Sequence, residues 1–185
     1  MTIERIPQKH YPKAEIARRG MALALDFLGV WLVSSLLGSS GVGIQFVEIL
    51  VFVLLWLVLR VLVVYNNQGQ SLGRWAFDLK ILEVEDGQVV GRIPELQALI
   101  KREVIICLGA LLVSIALNNI RANPTAILLV LPLAIDCSNA FSDNQLRQAW
   151  HDRYAGTFIV SSRRGYSLDL KVKRLVESLQ RNVRR

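Results

Sequence analysis

Charge and thiols are both scarce in this 185-residue chain. Only 20% of its residues are charged against 52% hydrophobic, a balance that fits one small membrane domain better than a soluble globule. The two cysteines, Cys107 and Cys137, stand within apolar segments and form no CxxC pair, so the expectation is packed thiols, no disulfide and no metal. Nucleophile and base pairs, HExxH and GxxxxGK[ST] are missing as well, which predicts no enzyme, no cofactor and no phosphate loop. The net charge of +7 does not call for a nucleic-acid partner. Its basic residues flank apolar segments, and no zinc-ligand spacing or aromatic RNP-like run accompanies them.

What is present is a series of apolar segments. The 17 residues from Met21 to Leu37 contain one ionisable side chain, Asp26, and at about 1.5 Å each make about 25 Å of helix, near the lower limit for a bilayer span. On insertion an Asp near the centre costs about 2.5 to 3.5 kcal/mol, while each Leu, Val or Phe returns about 0.3 to 0.6 kcal/mol. Such a carboxylate must face protein or water, as a functional site or as a structural polar contact between helices. A cleaved signal peptide is the rival reading of this segment, against which stand its length, Asp26 and the 20-residue polar leader.

Residues 1 to 20 carry Arg5, Lys9, Lys13, Arg18 and Arg19, broken by Pro7 and Pro12, and read as a short basic arm. The uncharged Gly38 to Gly43 turn returns the chain into a second helix, Phe46 to Tyr65, which holds Glu48, Trp56 and Arg60. From Asn66 to Arg102 the chain turns soluble in character. Leu79 to Glu85 and Gln88 to Val90 flank Asp86-Gly87, a favoured two-residue hairpin turn. Pro94 then opens a helix expected to lie along the interface, with Leu96, Leu99 and Ile100 as its apolar stripe before Lys101-Arg102-Glu103. Two shorter apolar segments follow, Val104 to Ile120 and Thr125 to about Phe141, the second containing Pro132, tolerated as a kink, and Asp136. A re-entrant pair of half-helices is the alternative for these two.

Lys and Arg number five before the first helix, none in the first turn, five between Asn66 and Arg102, one in the third connection and ten after Phe141. By the positive-inside rule four helices then place both termini in the cytoplasm. The expected fold is an all-α membrane protein with two full-length and two short transmembrane helices and a cytoplasmic hairpin. Residues 1–160 form the membrane domain, and 161–185 a basic tail with Leu168, Val172, Leu175, Val176, Leu179 and Val183 at helical spacing. The tail suits anionic lipid head groups or an acidic partner, the alternative being a solvated helix packed on the hairpin.

Three stretches carry a resemblance. Arg19 stands seven residues before Asp26, Gly69-Gln70-Ser71-Leu72-Gly73-Arg74 follows the second helix, and Arg147-Gln148-Ala149-Trp150-His151-Asp152-Arg153-Tyr154-Ala155-Gly156-Thr157 lies near the end. Together they resemble the RDD family of small bacterial membrane proteins, named for one Arg and two Asp, and the last block is similar to its RQxxHDxxAGT pattern. On that match Arg19, Asp26 and Asp152 are the family's Arg and two Asp. Arg74 departs from it, standing where Lys is common. The resemblance implies a bacterial cytoplasmic membrane protein, with an internal membrane such as the thylakoid still open, and a proposed transport role, some members looking like cation/proton antiporters.

Depth brings charges together. Asp26, Arg60 and Asp136 each lie five or six residues inside the cytoplasmic end of their segments, about 8 to 9 Å in at 1.5 Å per residue. This predicts a shallow cluster of Asp26, Arg60 and Asp136, with Arg60 snorkelling to the head groups as the competing picture. Arg19 approaches the cluster or binds lipid phosphate, and Asp152 is expected to accept hydrogen bonds or pair with Arg19 at the mouth. His151 and Asp152 are adjacent and point about 100° apart on a helix, so they make no orienting dyad. His151 itself reads as a surface or hydrogen-bonded histidine rather than a proton relay. Two functions fit: transport of a cation or small ligand through the cluster, Asp26 carrying the ion, or an accessory subunit docking on a larger membrane complex. The partners expected are the bilayer and a homo-oligomer or larger complex.

Overall fold

The structure is a computed structural model and describes residues 11–37, 45–85, 88–143 and 146–162, together with Leu168 and Val172. Most of the basic arm, the Gly38 to Gly43 turn, the Asp86-Gly87 turn and the amphipathic tail apart from those two residues lie outside the described residues.

Helix α1 (Ile16–Leu37) buries Ala22, Asp26, Val30 and Ser34, one row at a spacing of four, which is the narrow face a helix offers to a single neighbour. Leu25, Leu28, Leu32 and Leu36 point out and are exposed, as lipid-facing residues are. Helix α2 (Phe46–Asn66) packs on it through Phe27, Phe52 and Trp56, with ring centroids 6.2 Å and 5.7 Å apart along that series. Between Val58 and Leu62 α2 widens into a π turn, so that Arg60 and Val61, neighbours in sequence, are both buried. Such turns recur at functional sites because they re-aim a side chain without ending the helix.

Helix α3 (Leu72–Ala76) is short and lies across α1. Helix α4 (Leu96–Asn119) then runs unbroken for 24 residues. This corrects the separation of an interfacial helix from a short segment beginning at Val104: Arg102 and Glu103 are 1% and 0% exposed inside α4, each satisfied by partners, so the helix has no reason to end at its charges. Helix α5 (Pro124–Ser142) opens as a 3-10 turn through Val130, and Pro132 falls in the first turn of the α-helical part. There the missing N–H leaves no bond broken, so the expected kink is replaced by a helix start. Among the described residues three helices, α1, α2 and α5, are long and apolar enough to cross a membrane.

The all-α expectation is corrected by a small antiparallel sheet of order β2-β1-β3. Strand β1 (Leu79–Glu85) pairs with β2 (Gln88–Val89) through Glu85 opposite Gln88, the register of a two-residue hairpin. After the short helix α6 (Trp150–Tyr154), β3 (Thr157–Ser161) pairs with the other side of β1. Thr157-Phe158-Ile159-Val160 is a β-branched and aromatic run that suits a buried strand, and Leu82, Phe158 and Val160 form its core.

The chain repeats one plan at a constant spacing of 78 residues, from Gln70 to Gln148. Gly69 and Arg147 both have positive φ, Ser71 and Ala149 precede α3 and α6, and Asp78 and Gly156, again at positive φ, lead into β1 and β3. Each glutamine donates through Nε2 to the carbonyl nine residues on, Leu79 and Thr157, at 2.7 Å in both cases. The equivalent residues Ile81 and Ile159 face each other in the sheet, so an approximate two-fold axis passes between them. The two units meet at that axis.

Candidate functional site

Each repeated unit caps its short helix with a carboxylate taken from a long one. Asp26 of α1 accepts from the Gly73 N–H at 2.7 Å and Asp136 of α5 accepts from the His151 N–H at 3.0 Å. An anion at a helix N-terminus is stabilised by the free amides there, and this offsets much of the penalty for placing Asp26 in an apolar segment. Asp26 has no oxygen to spare. Its Oδ2 also accepts from Arg60 Nη1 at 2.7 Å and from the Ser71 hydroxyl at 2.6 Å.

The glycines of the Gly69 to Arg74 stretch follow from this closeness. A side chain on Gly73 would begin 2.1 Å from the Ala22 carbonyl oxygen, and one on Gly69, at φ +81°, would begin 2.6 Å from the Ile81 oxygen. Ser71 both donates to Asp26 and accepts from the Arg74 amide as the helix cap.

Glu103 is the centre of the network. Its Oε2 accepts from Arg60 Nε at 2.8 Å, and its Oε1 accepts from Arg60 Nη2 at 3.3 Å, Arg74 Nη2 at 3.0 Å and Arg102 Nη1. Arg102 also donates to Asp152 Oδ1 at 2.8 Å, and Thr157 Oγ1 donates to the same oxygen at 3.2 Å. The adjacent Arg102 and Glu103 of α4 thus take the charges that the two repeated units present at equivalent positions, Asp152 from one and Arg74 from the other. All six of these side chains, Asp26, Arg60, Arg74, Arg102, Glu103 and Asp152, are no more than 2% exposed. Charges so placed hold together only when each is paired with a group of opposite sign.

Burial alone would raise the Asp152 carboxyl, but the Arg102 guanidinium and then His151 hold it well below the usual carboxylate range. Burial first, then the Arg60 and Arg102 cations, pulls the Arg74 guanidinium down to about 9, so it stays charged at neutral pH. Its Nη1 is buried with no hydrogen-bond partner among the described residues, as is Arg19 Nε.

The sequence-predicted residues are distributed as follows. Asp26 and Arg60 are in direct contact, and Arg60 is buried over the Trp56 ring at 5.2 Å rather than extended to head groups. Asp136 is not in contact with that pair; it bonds His151 through Nδ1. Asp152 accepts from Arg102 where Arg19 was one expected partner. Arg19 instead donates to the Arg147 and Ile159 carbonyls and lies over Phe158 at 5.6 Å, tying α1 to β3. His151 is buried and set by Asp136, with its Nε2 3.4 Å from Arg102 Nη2. Sequence reasoning missed Arg102 and Glu103. The signal available was the Leu96, Leu99 and Ile100 stripe running into the Val104 to Ile120 segment with no helix breaker between them, which makes one helix and puts Arg102 and Glu103 six and seven residues inside it.

Beside the network lies a cavity of about 380 Å³ between α1 and α5. Ala17 and Gly20 of α1 and Phe141 of α5 stand exposed at its rim, and Leu23, Ile106 and Ala140 line its apolar walls. Its ionisable lining is Arg19, Arg60, Arg74, Arg102, His151, Asp152 and Cys137. Asp26, Glu103 and Asp136 are not among its lining residues. A volume of this size is within the range of small-molecule sites.

The family model described as RDD family matches residues 13–156. No curated protein and no solved structure matches the chain.

Proposed function

Because the chain belongs to the RDD family, whose model covers most of its length, we propose that it is a non-enzymatic transport protein of the bacterial cytoplasmic membrane that takes a small ligand into the cleft between α1 and α5. The observation that carries this reading is the cavity of about 380 Å³ with the buried charge network as its floor. A rigid, hydrogen-bonded floor and apolar walls are what a small-ligand site requires. Five, five and ten basic residues in the segments on one side of the apolar helices, against none and one on the other, support cytoplasmic termini, which puts the cleft on the cytoplasmic side. The cleft lies within one chain, so no oligomer is needed to build it.

Asp26 fits poorly as the ion carrier expected from sequence. A cation there would have to displace Arg60, Ser71 and the Gly73 amide together. Its role in this reading is to latch α3 to α1. The accessory-subunit alternative leaned on the hairpin and the tail; β1 of the hairpin is covered by β3, and the tail lies almost wholly outside the described residues.

Proteoliposome flux assays for protons, sodium and small organic anions test the reading. Wild-type flux should be blocked by Gly20→Phe, which fills the cleft from its rim, and Asp26→Asn should lower the amount of folded protein rather than flux alone. Equal flux through wild type and Gly20→Phe would overturn it.

A further inference from the structure

The cleft's ligand has a definable chemistry. Four guanidinium groups and His151 face it against one carboxylate, Asp152, because Asp26, Glu103 and Asp136 point their oxygens elsewhere. Asp152 is itself engaged by Arg102 and Thr157. Two N–H groups remain to be satisfied. Arg74 is 2% exposed and lines the cavity, yet its Nη1 has no partner among the described residues, and the same holds for Arg19 Nε. A buried N–H of a charged group left without an acceptor is unfavourable by more than a neutral one, and arginine forks match the oxygens of phosphate and carboxylate. The walls above these cations are apolar and reach the exposed Phe141 at the rim, where the apolar part of an amphiphile would lie.

Resting on the small-ligand reading above, we infer that the cleft binds an oxyanion, phosphate or carboxylate, borne on an apolar chain, with Arg74 and Arg19 supplying its donors. The cleft also sits where the repeated units meet: α1 and β1 line one side, α5, α6 and β3 the other. Sites at the junction of internal repeats are a recurrent arrangement in membrane transporters.

The test uses the full chain in mild detergent, stripped of lipid, with binding read by native mass spectrometry. The probes are phosphatidylglycerol, phosphatidylcholine, inorganic phosphate and a dodecyl trimethylammonium cation. Phosphatidylglycerol should bind at least about tenfold more tightly than phosphatidylcholine, a preference of about 1.4 kcal/mol. Arg74→Gln should remove that preference. Gly20→Phe should weaken binding at least as much while keeping every charge, and since a Cβ on Gly20 meets nothing within 4 Å it remains informative if Arg74→Gln fails to fold. Inorganic phosphate bound as strongly as the anionic lipid would uphold the oxyanion site and assign it a free anion. Equal binding of the two lipids, or anionic lipid binding unchanged in Gly20→Phe, would overturn the inference. Preference for the cationic amphiphile, lost in Gly20→Phe, would overturn the oxyanion alone and leave the small-ligand cleft standing.

Discussion

Replacing Glu103 by Gln removes one charge and keeps the shape, and the structure sets the expected size of the effect. Glu103 accepts four hydrogen bonds from three guanidinium groups and is fully buried. In the wild type Arg60, Arg74 and Arg102 are balanced by Asp26, Glu103 and Asp152; in the variant one cation is uncompensated, and the amide NH2 must face a guanidinium donor. Breaking a buried pair by removing one partner costs about 3 to 5 kcal/mol, and with three cations affected the upper end, about 5 kcal/mol, is expected. That is a third or more of the usual stability of about 5 to 15 kcal/mol. The assay is thermal melting in mild detergent followed by tryptophan fluorescence, with the exposed Glu95→Gln as control, expected within about 0.5 kcal/mol of wild type. The double variant Glu103→Gln with Arg74→Gln restores the balance and should recover part of the loss. A Glu103→Gln protein that melts with the Glu95 control would refute the shared-acceptor account.

Three further outcomes follow from the same geometry. Asp26→Asn and Arg60→Gln should each destabilise strongly and the pair by less than their sum, because the two are 2.7 Å apart; strict additivity in melting temperature would deny the contact. Gly73→Ala should sharply lower folded yield, since the new Cβ meets the Ala22 carbonyl oxygen, whereas Gly20→Ala, with open space around it, should not; equal yields would remove the close approach of α3 to α1. Asp152 has a depressed folded pKa, so its stabilising contribution is complete above about pH 5 and is lost as pH falls below its unfolded value of about 3.9. The melting difference between wild type and Asp152→Asn should therefore shrink between pH 6 and pH 3, and a difference that grew on acidification would contradict the pairing with Arg102.

What was legible in the sequence was whatever depended on local composition. The apolar runs gave α1 and α2, the Asp86-Gly87 dipeptide gave the β1 and β2 pairing, and counting residues from segment ends brought Asp26 and Arg60 to the same depth. What escaped was nonlocal. Thr157 to Ser161 is five residues long, and nothing near it in sequence shows that its partner is β1, on the far side of three helices. Arg102 and Glu103 looked like the end of a surface helix because charge ordinarily marks an interface. Only the arrival of Arg60, Arg74 and Asp152 from three other elements makes them interior. His151 was set aside because adjacent helix residues point about 100° apart; its Nε2 is nevertheless 3.6 Å from Asp152 Oδ1, and the carboxylate that bonds its Nδ1, Asp136, comes from α5. The repeat from Gln70 to Gln148 was hidden because its conserved feature is backbone conformation: Gly69 matches Arg147, and Ser71 matches Ala149.

The central claim is that a cation-lined cleft is open to ligand between α1 and α5, and Cys137, which lines it, can report on this directly. The measurement is the ratio of modification rates of Cys137 by a sulfonate-bearing and a trimethylammonium-bearing thiosulfonate reagent, read by peptide mass and normalised to a free thiol, so that the thiol's own reactivity cancels. One net positive charge about 8 Å away at an effective dielectric of about 20 is worth about 2 kcal/mol, so the normalised ratio should favour the anionic reagent by at least about tenfold and fall towards one in Gly20→Phe. A ratio near one in the wild type, or a preference for the cationic reagent, would contradict the account.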